Sequence, residues 1–592
     1  MLSLIRRSLH LAAGGRRWPW LLVVGLAVVV SLIEAAGAVL IFALVSLVSS
    51  QQGGLRVPVL GDVRPWLGGD DHNRVVVTAA ALVGAFFVVR GCIVVGAAYV
   101  QARVTQSAGA RLSIRLHEGY MAMPYSTYVR TNSSTHIRNI TDTVQRVVTD
   151  VFVQGARLLS ESVVMVVLAA MLIATSPEAM ALLVLVVLPA VLAVNRWGNP
   201  RLTRLGVEAQ AVAEENLRQL QESLQGLRDI RMLGRESFFV GSFARSRTQL
   251  AHNRTARAVL QQIPTATVET AFVLFLALFL AVTAVGGGGT QDVLPVVGMF
   301  AYVGLRLKPS LNQAITSVNG LRYSGAAIID LSEDLQRSAS WRVPADGGPP
   351  VGFEHEIRLD ELSFSYADAG RPALTGVSLK IPRGASVGFV GPTGSGKSTL
   401  VDLLIGLLEP SHGRVLVDGV DIADRRGAWL QRLGVVPQTI FLVDDTLRRN
   451  IALGVSSHEI DEEQVLRAVS LAQLDGFVSR LPEGLDTVLG ERGVRVSGGE
   501  KQRIGIARAL YHQPDVLVLD EGTSALDNKT EAELMRAVED LRGDYTVVLV
   551  AHRLSTVQRC DTVHVLEGGT VVASGTFDDL VATSQHFQRL TR

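Results

Sequence analysis

Six apolar segments restrict what this chain can fold into more than any other feature. They run over residues 20–48, 75–104, 151–175, 180–194, 265–285 and 293–311. A bilayer crossing takes about 20 apolar residues, and the fourth segment reaches that length only with its flanks. In hydrocarbon no water satisfies a backbone N–H or C=O, so a crossing segment must be a helix or part of a closed barrel. Continuous apolar runs rather than strict alternation select helices. Arg6, Arg7, Arg16 and Arg17 precede the first segment, as in a secretory signal. That segment is far longer than a signal core of roughly 7–15 residues, so it reads as a span.

Basic residues orient the spans. Arg111, Arg115, Arg130, Arg138 and Arg146 follow the second span, and Arg204, Arg218, Arg228, Arg231, Arg235, Arg245 and Arg247 follow the fourth. Ser176 to Glu178 and Gly286 to Asp292, after the third and fifth, carry none. The even-numbered loops, both termini and the ATP-binding half are therefore expected in the cytoplasm, with the spans in the cell's inner (plasma) membrane. Those two loops are long and helix-like, and each is expected to turn at a short crosswise helix, near residues 124–137 and 224–234. Most of their arginines also read as a solvated helix face. The one sizeable outer loop, residues 51–73, is a surface loop or a short interfacial helix anchored by Trp66.

Residues 338–350 have linker composition, rich in Ser, Gly and Pro. The expected division is a six-helix membrane domain over 1–335, a linker over 336–352, and a soluble α/β domain over 353–592. The net charge of the 592 residues is +1, which gives no field for nucleic acid. Two cysteines, Cys92 and Cys560, supply neither a disulfide framework nor zinc spacing.

The soluble part carries the chemistry. Gly391-Pro392-Thr393-Gly394-Ser395-Gly396-Lys397-Ser398-Thr399 follows an apolar run and opens a helical pattern. This is the phosphate-binding loop G-x-x-x-x-G-K-[ST]. Its glycines let backbone N–H groups close on phosphate oxygens, and the helix start behind it favours an anion. Lys397 is expected on the β- and γ-phosphates of ATP and Ser398 on Mg²⁺. About 120 residues on, Val516 to Glu521 reads as a buried strand ending in two carboxylates. Asp520 suits Mg²⁺, and Glu521 is placed to polarise the attacking water.

Residues 351–592 thereby resemble the nucleotide-binding domain of ATP-binding-cassette (ABC) transporters, with the motifs in their usual order. Val496-Ser497-Gly498-Gly499-Glu500 matches the signature that caps the partner subunit's ATP, with Val496 for Leu and Glu500 for Gln. Tyr366 matches the aromatic that stacks on adenine. Gln438 matches the glutamine at Mg²⁺ and the coupling helices. Ser524 to Asp527 matches the loop across the dimer interface, and His552 the switch histidine on the γ-phosphate. Glu491 matches the exporter-type loop that touches the membrane domain. Alone, Tyr366 is a strand aromatic, His552 a helix-start histidine and Gln438 a turn residue; the matches together, in order, outweigh that. The resemblance implies ATP and Mg²⁺ as cofactors, and hydrolysis that opens an interface closed by ATP. One chain holds both halves of the site and shows no internal repeat. The expected fold is a six-span helical membrane domain followed by an α/β P-loop domain, assembled as a homodimer of half-transporters. A heterodimer stays open.

The first half resembles the six-span domain of ABC exporters (type IV), more narrowly bacterial lipid-linked oligosaccharide flippases. Ser31 to Glu34, Val89-Arg90, Ile263-Pro264 with Glu269, and Arg306 to Ser310 carry that resemblance. So does the segment 444–451. Counting inward at about 1.5 Å per residue, Glu34, Arg90, Glu161, Glu269 and Arg306 lie about 21–24 Å from the outer ends of their spans. Lys308 lies slightly deeper. Ionised groups at such depth face a water-filled path or one another. Arg90, Arg306 and Lys308 therefore either meet an anionic head group such as a pyrophosphate or are neutralised by Glu34, Glu161 and Glu269. Thr265 and Gln313 stand where the flippase family carries further basic residues, which leaves the cation belt weaker here.

The leading expectation is ATP-driven export or flipping of an amphipathic, lipid-linked substrate across the membrane. A broad-specificity multidrug or lipid exporter is the alternative among transporters. A peptide exporter with its own protease is disfavoured, since no domain with Cys and His precedes the first span. An ATP-gated channel or regulatory subunit is the alternative from another class, against which Glu521 and His552 argue. The membrane half excludes a soluble nucleic-acid ATPase.

Overall fold

A computed structural model describes residues 18–49, 56–57, 61–62, 72–175, 177–285, 309–341, 352–366, 370–490, 496–520, 543, 545–551 and 553–590. Two compact units emerge. One comprises Met1–Met121 with Thr131–Trp341, the other Ala122–Arg130 with Arg342–Arg592.

The first unit is built from very long helices. They are α1 (Trp18–Ser49), α2 (His72–Met121), α3 (Gln154–Thr175), α4 (Pro177–Gln225), α5 (Glu236–Val285) and α6 (Gly325–Ser340), the last preceded by helix 309–323. Among the described residues, three helical stretches, Asn73–Met121, Met180–Gln225 and Glu236–Val282, are long and apolar enough to cross a membrane. The 32 residues of α1 and 22 of α3 also suffice by length. Most of the sixth expected span, residues 293–308, lies outside the described residues. The loops after the second and fourth spans are helical extensions of those spans, as expected. Tyr125–Tyr128 and Leu227–Met232 form short helices at the expected turns. Arg56–Val57 pairs antiparallel with Gly61–Asp62 between the first and second spans, and Trp66 lies outside the described residues. Helix α6 reaches Ser340, four residues past the expected start of the linker, because Leu331 and Ser338 bury one face of it.

Two π-helical stretches, Asn139–Thr143 and Val148–Val153, interrupt the helix that leads into α3. Thr141 and Thr149 donate to the carbonyls of Ile137 and Gln145, a back-bonding that bends helices. Asp150, in the second stretch, accepts from Arg257 Nη2 at 3.0 Å and Ser324 Oγ at 2.8 Å, joining α5 to the last helices.

The second unit is layered around a six-stranded sheet. Its strands are β1 (Glu356–Phe364), β2 (Leu374–Pro382), β3 (Ser386–Val390), β4 (His412–Val417), β5 (Val420–Asp421), β6 (Leu433–Val436), β7 (Val516–Asp520), β8 (Thr546–Val550), β9 (Thr562–Glu567) and β10 (Thr570–Gly575). The larger sheet has the order β10-β9-β3-β8-β7-β6, parallel except for β9–β10. A smaller antiparallel sheet has the order β2-β1-β4-β5. The strands of the parallel region read as unbroken Val and Leu because both faces are covered. Leu517, Leu519, Val547 and Leu549 enter one core with Ile504 and Ala507. Val516, Val518, Val548 and Val550 enter the other with Leu400, Leu404 and Trp429.

His564 on β9 lies level with Phe389 of β3, and the two rings stack at 5.5 Å. Burial holds this imidazole down at about 4. An unfolded histidine titrates near 6.5. Between those values the unfolded chain binds more protons, so the domain loses stability as pH falls from about 6.5 towards 4. In His564→Phe, which keeps the stack, melting temperatures of the intact protein should fall less steeply over that window than in the wild type.

Candidate ATP site

Sheet register brings the expected residues to one edge. Val550 of β8 lies level with Phe389 of β3 on one side and with Asp520 of β7 on the other. Val436 of β6 lies level with Leu519. The phosphate loop leaves β3 one residue past Val390, Gln438 follows β6 by two residues, and Asp520 ends β7. These are the carboxyl ends of parallel strands, where α/β sheets bind ligands.

The loop is shaped by its glycines. Gly396 has φ +101°, and a Cβ there would stand 2.6 Å from Ala373 O and 2.7 Å from Leu374 Cδ2. A Cβ on Gly391 would run into the Leu566 carbonyl. Gly396 caps α7 (Lys397–Leu404), whose first-turn N–H groups open towards the loop. Lys397 is buried at 5% exposure, and Nζ donates to Gly391 O at 2.8 Å and Pro392 O at 3.1 Å. Ser395 Oγ is buried with no hydrogen-bond partner among the described residues. A glycine-lined turn, a buried ammonium and an unsatisfied hydroxyl fit a polyphosphate. Pro392, Thr393, Gly394 and Ser398 are exposed along the loop, and Thr399 is buried.

Tyr366 is half-buried, with its hydroxyl 3.4 Å from Thr399 Oγ1, so its ring lies beside the start of α7. The oxygens of Ser398, Gln438 and Asp520 are hard donors suited to Mg²⁺. Among the described residues no three His, Cys, Asp or Glu side chains form a metal cage. Mg²⁺ is usually held by one or two carboxylates together with substrate phosphates, so this donor set fits it. Sequence reasoning missed Asp402, one turn after Ser398 on α7. Its carboxyl is pushed up to about 6, first by burial and then by Asp520. Tyr125, from the segment 122–130 of the same unit, has its hydroxyl pushed up by burial and then by Asp402. The i+4 spacing from Ser398 was the available signal for Asp402.

Ser497 caps α8 (Gly498–Tyr511) in a capping box with Glu500. Glu500 Oε2 accepts from Ser497 N at 2.9 Å, and Oε1 accepts from Arg480 Nη2 at 3.3 Å. The Glu-for-Gln departure thus keeps the acceptor that closes the helix start. Val496 is buried in the core where the usual Leu would be. Glu491, Glu521, Ser524, Asp527 and His552 lie outside the described residues.

Residues 374–524 match the family described as ABC transporter, and residues 20–304 match the ABC transporter transmembrane region. An ATP-dependent lipid A-core flippase of Ralstonia nicotianae is 30% identical over 554 residues, covering 93% of this chain and 92% of that one. The chain belongs to the ABC transporters. It is a membrane protein that couples ATP hydrolysis to transport. Flippases of the same name from Cupriavidus metallidurans and Chromobacterium violaceum are 30% and 33% identical. They cover 94% and 71% of the transporter, and 94% and 71% of their own lengths are matched. The structure of a bacterial Atm1-family ABC exporter with ATP bound superposes with TM-score 0.79 at 24% identity, covering 95% of this chain and 96% of that one. That likeness gives the exporter fold.

In the membrane unit of the transporter, Arg90 Nη2 donates to Glu34 Oε1 at 2.9 Å, and its guanidinium lies 5.4 Å from the Phe87 ring centre. Ser31, one turn before Glu34, donates to Ser160 O at 2.9 Å and so joins α1 to α3 beside Glu161. Glu161 Oε2 is buried without a hydrogen-bond partner among the described residues. Glu269 is exposed on α5, and Gln313 donates to Gln154 Oε1 at 2.7 Å. Arg306 and Lys308 lie outside the described residues. Of the expected belt, Glu34 and Arg90 are brought together as an ion pair.

Proposed function

We propose that the protein is an ATP-driven flippase of an amphipathic lipid, working as a homodimer in the inner (plasma) membrane with its ATP-binding domains in the cytoplasm. The observation that carries this is the alignment with lipid A-core flippases along nearly the whole chain, membrane region included. Lys397 and the loop N–H groups hold the ATP phosphates, and Tyr366 stacks on the base. Mg²⁺ held by Ser398, Gln438 and Asp520 neutralises phosphate charge when bound. Glu521 takes a proton from the attacking water, and His552 donates to the γ-phosphate. Ser497, Gly498, Gly499 and Glu500 close the site from the second copy, with Asp527 between the two.

A lipid-linked oligosaccharide pyrophosphate is the finer reading of the substrate. It requires Arg90 to exchange Glu34 for phosphate, helped by Arg306 and Lys308. The existing Arg90–Glu34 pair favours a second reading, an exporter that selects lipids by their apolar part. The test is flipping by purified protein in liposomes, with polyprenyl-pyrophosphate oligosaccharide, lipid A-core and plain phospholipid as separate substrates. ATP-dependent flipping of the pyrophosphate lipid that Arg90→Ala abolishes would establish the finer reading. Flipping indifferent to Arg90→Ala would establish the second. ATPase without flipping of any lipid would sink both.

A further inference from the structure

Three helices meet where the apolar runs of α4 and α5 give way to polar sequence. Helix 309–323 comes very close to α4 there: a Cβ on Gly206 would stand 2.2 Å from the Tyr323 carbonyl oxygen. One turn earlier on each helix stand Leu202 and Asn319. With Gly198 of α4, and Leu260 and Pro264 of α5, they line a small cavity. Asn319 is 2% exposed, and its Oδ1 has no hydrogen-bond partner among the described residues. Pro264 lies inside α5 and has no N–H, so the carbonyl of Leu260, four residues back, lacks its helical donor. Two acceptors thus border one cavity. Gly198 supplies the room: it is buried, yet a Cβ on it would meet no atom within 4 Å.

Size and polarity together choose the ligand. The cavity volume is about 10 Å³, on the order of the room one water needs. A lipid chain or a substrate head group is far too large. Water also has the matching chemistry, because it brings two O–H donors to two acceptors. A buried acceptor left unmet is costly, and ordered water is one of the ways in which membrane helices meet the carbonyl that a proline frees. We infer that one ordered water binds here, donating to Asn319 Oδ1 and to the Leu260 carbonyl, and so links helix 309–323 to α5 at Pro264. The inference does not depend on which substrate the transporter moves.

The test is X-ray radiolysis of the full-length transporter in nanodiscs, with oxidised residues mapped by mass spectrometry. Hydroxyl radicals formed from a bound water attack the side chains beside it. Leu202 and Leu260, both buried, are the reporters, and Leu116 and Leu331, fully buried elsewhere in the same unit, are the controls. The reporters should be oxidised well ahead of the controls. Gly198→Ala puts a methyl group into the cavity and should bring the reporters down to the control rate while ATPase persists. That variant should also melt at a lower temperature than wild type, although alanine is the better helix former, because both acceptors are then unmet. Adding Asn319→Leu removes one of those acceptors and should recover part of the loss. If Gly198→Ala fails to fold, Asn319→Leu alone should abolish the excess oxidation. Equal oxidation of reporters and controls in the wild type would overturn the site. So would unchanged oxidation in Gly198→Ala, which would mean radicals arriving from bulk solvent, or a Gly198→Ala protein that melts higher than wild type.

Discussion

Lys397→Ala is expected to lose ATP binding and, with it, nearly all hydrolysis. The amine is buried and donates to the carbonyls of Gly391 and Pro392, within the loop proposed to receive the phosphates. ATP would replace those neutral carbonyl acceptors with anionic phosphate oxygens, so that both partners of each bond are charged. Truncating one member of a buried, hydrogen-bonded charge pair costs about 2–5 kcal/mol, or roughly 30-fold and more in Kd. Titration of the intact protein with a fluorescent ATP analogue measures this directly. A Kd within threefold of wild type would show that the ammonium does not hold the phosphates. The loop itself is partly secured by Ser395 N donating to Pro392 O at 3.2 Å, so the variant should still fold.

The parts that could be read from the chain are those in which chemistry is tied to local spacing. The phosphate loop, the apolar strand ending at Asp520 and the crosswise turns near 125–128 and 227–232 all appear where periodicity and composition place them. Lipid leaves a span few alternatives to a helix, and a glycine loop has few shapes. What was hidden depends on residues far apart in sequence. The Arg90–Glu34 pair crosses 56 residues, and a count of depth along each helix fixes level but not direction. The two π-helical stretches coincide with threonines bonded back to carbonyls one turn earlier and with Asp150 held by Arg257 and Ser324. No hydrophobic period announces them. Glu500, a departure from the usual signature, is by contrast explained locally, as half of a capping box with Ser497 three residues before it.

Glu521→Gln should behave in the opposite way to Lys397→Ala, leaving ATP affinity near wild type and slowing hydrolysis by roughly 10²–10⁴. Asp520 ends β7 level with Val550, at the edge from which the phosphate loop departs. An amide in its place keeps the shape and a hydrogen-bond acceptor but cannot take a proton from water at neutral pH. In the proposed site, binding rests on Lys397 and the loop, which this change does not touch, so affinity and rate should separate. Single-turnover hydrolysis with saturating ATP, beside the binding titration, measures the two independently. If the closed dimer is the ATP-bound state, the variant should also accumulate as an ATP-dependent dimer, whereas Lys397→Ala should not. Wild-type hydrolysis in Glu521→Gln would move the base to another residue at this edge. A parallel loss of affinity would instead make Glu521 part of the phosphate cradle.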